Sequence, residues 1–528
     1  MDLKHIIPQQ RRRSAGPALD IQYSVDRTNV PRVGPTPTFT RASSGTFVNE
    51  NRRIVGKTTS TTSLNPANVA VGGVAVFEVP SGSVVGWLNN SVVSVMVDSD
   101  GNDQIGSEAH VTGTLIHKTD TAITLLVTSK AGTATVSSWF VSYRGVRIDH
   151  DPATGLCLGH LHEGARTNLW LRSENFASAS WTKNGGSISN IANVSPSGRS
   201  TSELFNEDAT TGTHRLFQSS NYVSGTSYTI SVYLKFAGRQ YVVINFPAIA
   251  SGSSVFDIQN GAVMVTPATT TTSIINAGNG WYRCSITATA TSTTTQSAII
   301  AGSINSTGTT SYTGLNGPAF YIFGAQLEAG LEASSYIPTT ISTASRSDDV
   351  NNITGTSFTN FYNQTEGTIY SEMRHYANEY TGSYLFDSGN RLISAFGTDF
   401  NPSANQISTY VTSGPPNYNN VANFQTTYTR GSRNKTALAV KQNDFAASYN
   451  GATALTDTSG VFPASPMNIL NIGTNTGQRM RGHIMCLTYY QQRLANTRLP
   501  TLTATVTETI VYNGVAIWYN GEGLIETS

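Results

Sequence analysis

The chain has 528 residues, 33 Lys+Arg against 32 Asp+Glu, and a formal net charge of +1. Only 12% of its residues are charged, about half the usual ~25%, which excludes a binder that neutralises nucleic-acid phosphates with a basic excess and a coiled coil built on Glu and Lys. With 20 Phe, 6 Trp, 23 Tyr and 47 Gly, it is not a charge-driven disordered chain either; what remains is a β-rich protein with a polar, uncharged surface, in three or four domains at roughly 150 residues each.

In chain order, residues 1–14 (MDLKHIIPQQRRRS) carry no apolar core of a secretion signal. Arg11, Arg12 and Arg13 form the only basic run and suit a docking contact with a larger assembly. Pro8, Pro17, Pro31, Pro35 and Pro37 make residues 1–40 an extended arm. No stretch reaches the ~18 apolar residues of a membrane span, so no membrane insertion is expected. Cys157, Cys284 and Cys486 are odd in number and far apart. They read as buried thiols of a protein that folds in a cytoplasm, with lysis as the route to any surface role.

A polar linker at 56–67 precedes a run of short strands between Val74 and Arg144. Asp98–Asp103 (DSDGND) reads as a hairpin turn rather than a calcium loop, because strands flank it. His160 and His162, with Asp149, His150 and Asp151 upstream, lack a third specified ligand, so no metal and no cofactor is expected. Tyr228–Phe236 alternates: Tyr228, Ile230, Val232, Leu234 and Phe236 share the buried face, with Thr229, Ser231, Tyr233 and Lys235 on the wet one. Asp348 and Asp349 read as a solvated linker whose carboxylates point opposite ways. Near the C-terminus, Asn496 is a candidate cap for a short helix limited by Pro500, and Asn513-Gly514 marks a hairpin.

Several segments resemble known proteins. Phe39–Phe47 (FTRASSGTF), Arg147–Gly155 (RIDHDPATG) and Ala165–Leu169 (ARTNL) resemble a module of tailed-bacteriophage tail and fibre proteins. Ser173–Phe176, Trp181–Lys183, Gly280–Arg283 and Phe323–Gly330 with Ser335–Thr339 resemble a carbohydrate-binding-module-like jelly roll. Gly367–Tyr370, Ser448–Gly451, Gly482–Ile484 and Tyr489–Leu494 resemble a concanavalin/laminin-G-like sandwich. Glu163-Gly164 stands where that phage family often has paired acids. The resemblance implies an all-β chain of several jelly-roll sandwiches in series. Its parts are an anchoring arm (1–40), a connecting module (41–55 plus 146–172), an inserted small β domain (56–145), a jelly roll (173–345), a concanavalin-like sandwich (346–503) and a C-terminal hairpin tail (504–528).

No nucleophile elbow, HExxH, P-loop or dinucleotide fingerprint is present, and no acid pair has the placement that glycoside hydrolysis needs. The chain is therefore expected not to be an enzyme. Sugars stack on exposed aromatic rings while amides bond their hydroxyls. Tyr376, Tyr380, Tyr384, Tyr410 and Tyr418, with Asn417 and Asn419, are the candidate glycan-binding residues. The resemblance implies a virion tail fibre or spike subunit that adsorbs to bacterial surface polysaccharide, homotrimeric like similar fibres. Its arm would be held by a tail, portal/adaptor or capsid protein. Two alternatives are a virion polysaccharide depolymerase and a capsid or collar decoration fibre.

Overall fold

The structure is a computed structural model. It describes residues 16–526 except 28, 42–44, 82, 97–108, 134, 137–138, 191–192, 247–251, 377–380, 388–394, 402–405, 413–419, 460–465, 476–477, 505–507, 513–514 and 520–523. Arg11, Arg12, Arg13 and the Asp98–Asp103 turn lie outside the described residues. Among those described, the α-helices are only the short segments Tyr23–Asp26, Gly355–Thr359 and Arg498–Thr503, and everything else regular is antiparallel sheet or a 3-10 turn. The chain is all-β.

Contacts divide it into two units: Met1–Phe39 with Cys157–Gly164 and Asp349–Ser528, and Thr40–Leu156 with Ala165–Asp348. The second unit holds two sandwiched six-stranded sheets. One runs Thr182–Asn184, Arg215–Tyr222, Thr294–Ser303, Tyr241–Asn245, Ser254–Asp257, Ala262–Val265; the other runs Gly186–Ser189, Glu203–Glu207, Gly317–Ala329, Ser227–Phe236, Trp281–Thr289, Thr270–Asn276. Ile230, Val232 and Leu234 enter the core between them with Leu216, Ile244, Phe256, Ile300 and Leu327. Residues 57–143 add another six-stranded sheet, from Lys57–Ser60 at one edge to Val74–Glu78 at the other.

The wet face expected of Tyr228–Phe236 is not wet. Thr229 and Ser231 are as buried as Ile230. Thr229 Oγ1 lies 2.7 Å from Thr287 Oγ1 and donates to the Gly330 carbonyl at 3.0 Å, while Arg283 donates to Ser231 Oγ at 2.8 Å. A period of two separates polar from apolar faces, but it cannot show that a polar layer covers the polar face.

That layer is a clamp of buried polar groups. Gln326 and Glu328 lie opposite Ser231 and Thr229 on the neighbouring strand. The two Glu328 oxygens accept from Ser334 N at 2.8 Å and Ser334 Oγ at 2.7 Å, and Gln326 Nε2 donates to Oε1 at 2.7 Å. Arg346 donates to Ser335 Oγ at 2.9 Å, and Arg147 donates to the same hydroxyl at 3.0 Å and to the Thr46 carbonyl at 3.0 Å. Asn168 uses its whole amide. It donates to the Ala325 and Ile337 carbonyls and accepts from Trp170 N and Leu327 N. Trp181 packs against Trp170 and Phe176, and Lys183 holds the carbonyls of Phe176, Ala177 and Ser178 at 3.0–3.3 Å. Thr46, Arg147, Asn168, Lys183, Gln326, Glu328, Ser334 and Ser335 thus supply the polar stitching of one unit.

The first unit is also a sandwich. One sheet runs Cys157–His162, Gly482–Tyr490, Glu366–His375, Arg433–Lys441, Phe445–Tyr449, Leu455–Asp457. The facing sheet contains Val350–Thr354, Ile469–Ile472, Thr381–Asp387, Ala395–Asn401, Gln406–Thr412 and Asn420–Thr427. Tyr449 ties the two, 2.7 Å from Thr409 Oγ1 and donating to the Phe424 carbonyl at 2.7 Å. At Gly367 a Cβ would strike the Tyr489 ring, so only glycine lets that side chain cross the strand.

Three expectations change here. Leu19–Ile21 is extended, but as a sheet strand on Gly482–Tyr490, with Leu19, Ile21 and Tyr23 fully buried and a helical turn at Tyr23–Asp26; apolar side chains two apart outweigh the prolines. Cys157–His162 pairs with Gly482–Ile484 and leaves the connecting module drawn at 146–172. The C-terminal helix begins after Thr497 rather than on an Asn496 cap, and Pro500 sits in its first turn, where no backbone N–H needs an intrahelical partner. Glu508–Tyr512 and Val515–Tyr519 pair as a hairpin, Tyr512 opposite Val515.

The clamp yields a stability prediction. Arg147→Leu removes the donor shared by Thr46 and Ser335 in a buried site and should cost about 2–4 kcal/mol. Urea unfolding reads this directly, and an unchanged midpoint would refute the clamp.

Candidate functional site

The acid pair expected in a solvated linker is instead used structurally. Asp349 is fully buried and accepts from Glu163 N at 2.9 Å, and Asp348 accepts from Ala165 N at 2.5 Å. His160 and His162 are core rings, 5.6 Å apart, with His160 packed on Tyr23 and Phe39 at 5.1 and 5.5 Å. Among the described residues no group of three or more His, Cys, Asp and Glu is arranged to hold a metal. None of the three cysteines is disulfide-bonded. Burial pushes the Cys486 thiol up to about 12 and raises that of Cys284, which keeps both protonated and poor nucleophiles.

Of the candidate glycan-binding residues, Tyr376 is the one whose side chain is described, and it is half-buried. The backbones of Tyr384 and Tyr410 lie on Thr381–Asp387 and Gln406–Thr412, in the sheet facing the strand that Tyr376 follows. Their register puts Tyr384 opposite Thr398 and Tyr410 opposite Gly397, in adjacent rows. Tyr380, Tyr418, Asn417 and Asn419 lie outside the described residues.

Around Tyr376 four chain segments converge at one end of the first unit. The strand Glu366–His375 delivers Arg374, His375 and then Tyr376. Its partner Arg433–Lys441 begins at the same end, with Arg433 directly opposite Arg374. The turn before it carries Arg430-Gly431, where Gly431 has φ +75° and a Cβ at this position would come within 3.6 Å of the Tyr376 ring. On the other side, the strand Gly482–Tyr490 brings His483 opposite Arg374, with Arg481 just before it. His483 Nδ1 is 3.2 Å from the Tyr376 hydroxyl, and the two rings meet edge to face at 5.4 Å. Tyr376 N donates to the Arg481 carbonyl at 2.9 Å.

Four arginines gather at this end, Arg374, Arg430, Arg433 and Arg481; Arg433 pairs with Glu372, and Arg481 lies 3.8 Å from Glu163. Like charges opposite each other across a sheet are unfavourable, so Arg374 against Arg433 marks a position where packing alone would not place two cations. The field reaches inward: burial and the Arg430 charge together hold His375 down to about 3. The Tyr428 hydroxyl faces the Nδ1 of this buried neutral ring at 3.4 Å. One half-buried tyrosine, one histidine edge and several guanidinium forks on rigid strand ends form a surface for hydrogen bonding and ring stacking.

Sequence reasoning offered Tyr376 as a candidate and did not single out the arginines beside it, because they come from segments far apart in the chain. A usable signal was present in the repeated Arg-Gly pairs at strand starts, Arg430-Gly431 and Arg481-Gly482.

No family model and no curated protein matches this chain. Among solved structures it is similar to the CBM40 domain of the Ruminococcus gnavus IT-sialidase bound to α2,3-sialyllactose, at 14% identity and a TM-score of 0.22, covering 27% of this chain and 84% of that one. It is also similar to domain 4 of AbnA, a GH43 extracellular arabinanase from Geobacillus stearothermophilus, in complex with arabinotriose. That alignment has 12% identity, a TM-score of 0.22, and covers 33% and 82% of the two chains. The heptameric SAP-like pentraxin of Limulus polyphemus aligns at 11% identity, a TM-score of 0.21, and 30% and 81% coverage. Alignments of this extent leave function to be read from the chain's own side chains.

His375 sets a pH dependence. Folded, it stays neutral down to about 3, whereas unfolded it takes a proton near pH ~6.5. Its contribution is complete above pH ~6.5 and is lost at about 1.4 kcal/mol per pH unit as pH falls toward the folded value. Chemical unfolding between about pH 7 and pH 5 should show a smaller loss for His375→Gln than for the parent; equal slopes would contradict the assignment.

Proposed function

We propose that this chain is a glycan-binding subunit of a tailed-bacteriophage fibre or spike, adsorbing to bacterial surface polysaccharide through the Tyr376 end of its first unit. The observation that carries the reading is the convergence of Tyr376, His483 and the Arg374, Arg430, Arg433 and Arg481 guanidiniums on one sandwich end. Rigid strands hold these groups in place, so little ordering entropy is lost when a sugar docks. The resemblance of Phe39–Phe47, Arg147–Gly155 and Ala165–Leu169 to phage tail and fibre segments supports the virion role. A nearly neutral, hydroxyl-rich surface supports it too, since it limits nonspecific ionic adhesion.

In this reading the chain binds and does not cut, and needs no cofactor. It assembles as a homotrimer in the host cytoplasm and leaves by lysis, with the Arg11–Arg13 region docked on a tail, portal/adaptor or capsid protein. Weak single sites suffice, because several copies on one particle raise avidity by about 10²–10⁴-fold.

Purified protein should compete with phage adsorption to host cells. Tyr376→Ala should weaken that competition about tenfold, the scale of losing one stacked ring, while leaving the unfolding midpoint within about 1 kcal/mol of the parent. No competition by the parent at saturating protein would refute the reading; reducing ends released from host polysaccharide would replace it with the depolymerase. Native mass measurement should return three copies.

A further inference from the structure

We infer that copies of this chain meet through the outer face of the six-stranded sheet in residues 57–143, an aliphatic face that a second copy covers. This rests on the assembly part of the reading above and names the surface that makes it.

The strands of that sheet are apolar on both faces. In Val74–Glu78, Ala75 and Phe77 are buried, while Val74 and Val76, on the opposite face, are more than half exposed. A strand wet on one side alternates apolar with polar residues; a run apolar on both sides is the pattern of a strand covered on both. The register carries the pattern across four neighbouring strands. Val74 stands opposite Leu126, Leu126 opposite Thr114, and Thr114 opposite Val92. Ile116 follows on the strand of Thr114, at a bulge. Val74, Val76, Val92, Ile116 and Leu126 are each between 40% and 58% exposed. Val74–Glu78 is also an edge of its sheet. Glu78 N donates to Thr62 Oγ1 at 2.8 Å, away from the ladder, and by alternation Val76 N and Val74 N point the same way. An apolar edge strand of this kind is a surface that chains bury by pairing.

The chemistry of the face selects its cover. The row Val74, Leu126, Thr114, Val92 holds no charge and no aromatic ring. It lacks the basic groups that hold nucleic-acid phosphates and the Lys, Arg and Trp that anchor a protein at a lipid surface. Residues 97–108, which join two of these strands, carry Asp98, Asp100, Asp103 and Glu108, charges that aliphatic contact would strip of water. The five aliphatic side chains present an apolar patch on the order of 400 Å², a size that marks interaction sites on soluble proteins. That is about half of the roughly 800 Å² each partner gives to a stable interface, and the surrounding threonines, among them Thr114 and Thr124, supply an uncharged rim. An apolar centre with charge excluded from it is the composition of contacts between identical subunits, and a second copy brings the same face.

The test is sedimentation and native mass of the full chain across a dilution series. The parent should assemble, and Val76→Lys and Leu126→Lys, at exposed positions, should each weaken assembly at least about tenfold, the scale of losing one buried aliphatic contact. Leu126→Thr, which keeps β propensity, should weaken it in the same direction with an unchanged far-ultraviolet circular dichroism spectrum. Val223→Lys, at an equally exposed valine on another sheet of the same unit, should leave assembly as in the parent. Raising salt from about 0.1 M to about 1 M should not dissociate the parent, because the contact is not ionic. A parent that stays monomeric at every concentration would overturn the inference and give the face to another protein or another segment of this chain. A parent that assembles, with all variants assembling equally well, would overturn it too and leave the three-copy reading standing. Pairs that the Lys variants dissociate would uphold the face and refute three copies. Competition for host adsorption is measured separately on the parent, so the glycan reading stands or falls on its own result.

Discussion

Arg147 and Arg346 meet on a single serine hydroxyl, that of Ser335, in the interior of the second unit. Much of that unit follows from the meeting. Two buried guanidiniums are tolerable only where acceptors are supplied in the right directions. Here the acceptors are Ser334 and Ser335 with the Thr46 carbonyl, and Glu328 stands behind them. These groups come from residues distant in sequence, so satisfying the arginines draws the 40s, the 140s, the long strand Gly317–Ala329 and the 330s together. Thr229 and Ser231 are buried for the same reason: the clamp roofs the polar side of their sheet.

The first unit has its own organising strand, Gly482–Tyr490. Glu366–His375 pairs along one edge, while Cys157–His162 and Leu19–Ile21 share the other end to end. Three chain-distant segments are thereby fixed against one strand. Its first residues, with the ends of its neighbours, carry Arg481, His483, Arg374 and Tyr376. The candidate site is therefore built on strand termini whose positions the sheet register dictates, rather than on long loops. That register also explains the juxtaposition of Arg374 and Arg433, which local packing would not favour.

Much of this was legible in the residues. Alternation in Tyr228–Phe236 located a core strand, the Phe323–Thr339 string marked a structured element, and the strands on either side of Asn513-Gly514 pair with each other. Other features were not. His160 with His162 and Asp348 with Asp349 looked like possible chemistry or solvated linker, and each became structural once its partners, Tyr23, Phe39, Glu163 and Ala165, arrived from elsewhere in the chain. Of the aromatic candidates, Tyr376 has Arg481 and His483 brought beside it by strand pairing, and nothing in its own neighbourhood RHYANEY announces them.

The sequence by itself determined that the protein is all-β, low in charge, rich in Thr and Ser, and made of several sandwich-forming stretches. Period-two patterning and side-chain β propensity are local properties, readable one strand at a time. Only the tertiary structure decided which polar residues are buried, where the N-terminal strand goes and which arginines gather around Tyr376. Those outcomes depend on pairing between strands hundreds of positions apart, and a polar group's role is set by the partner that satisfies it, not by its neighbours in the chain.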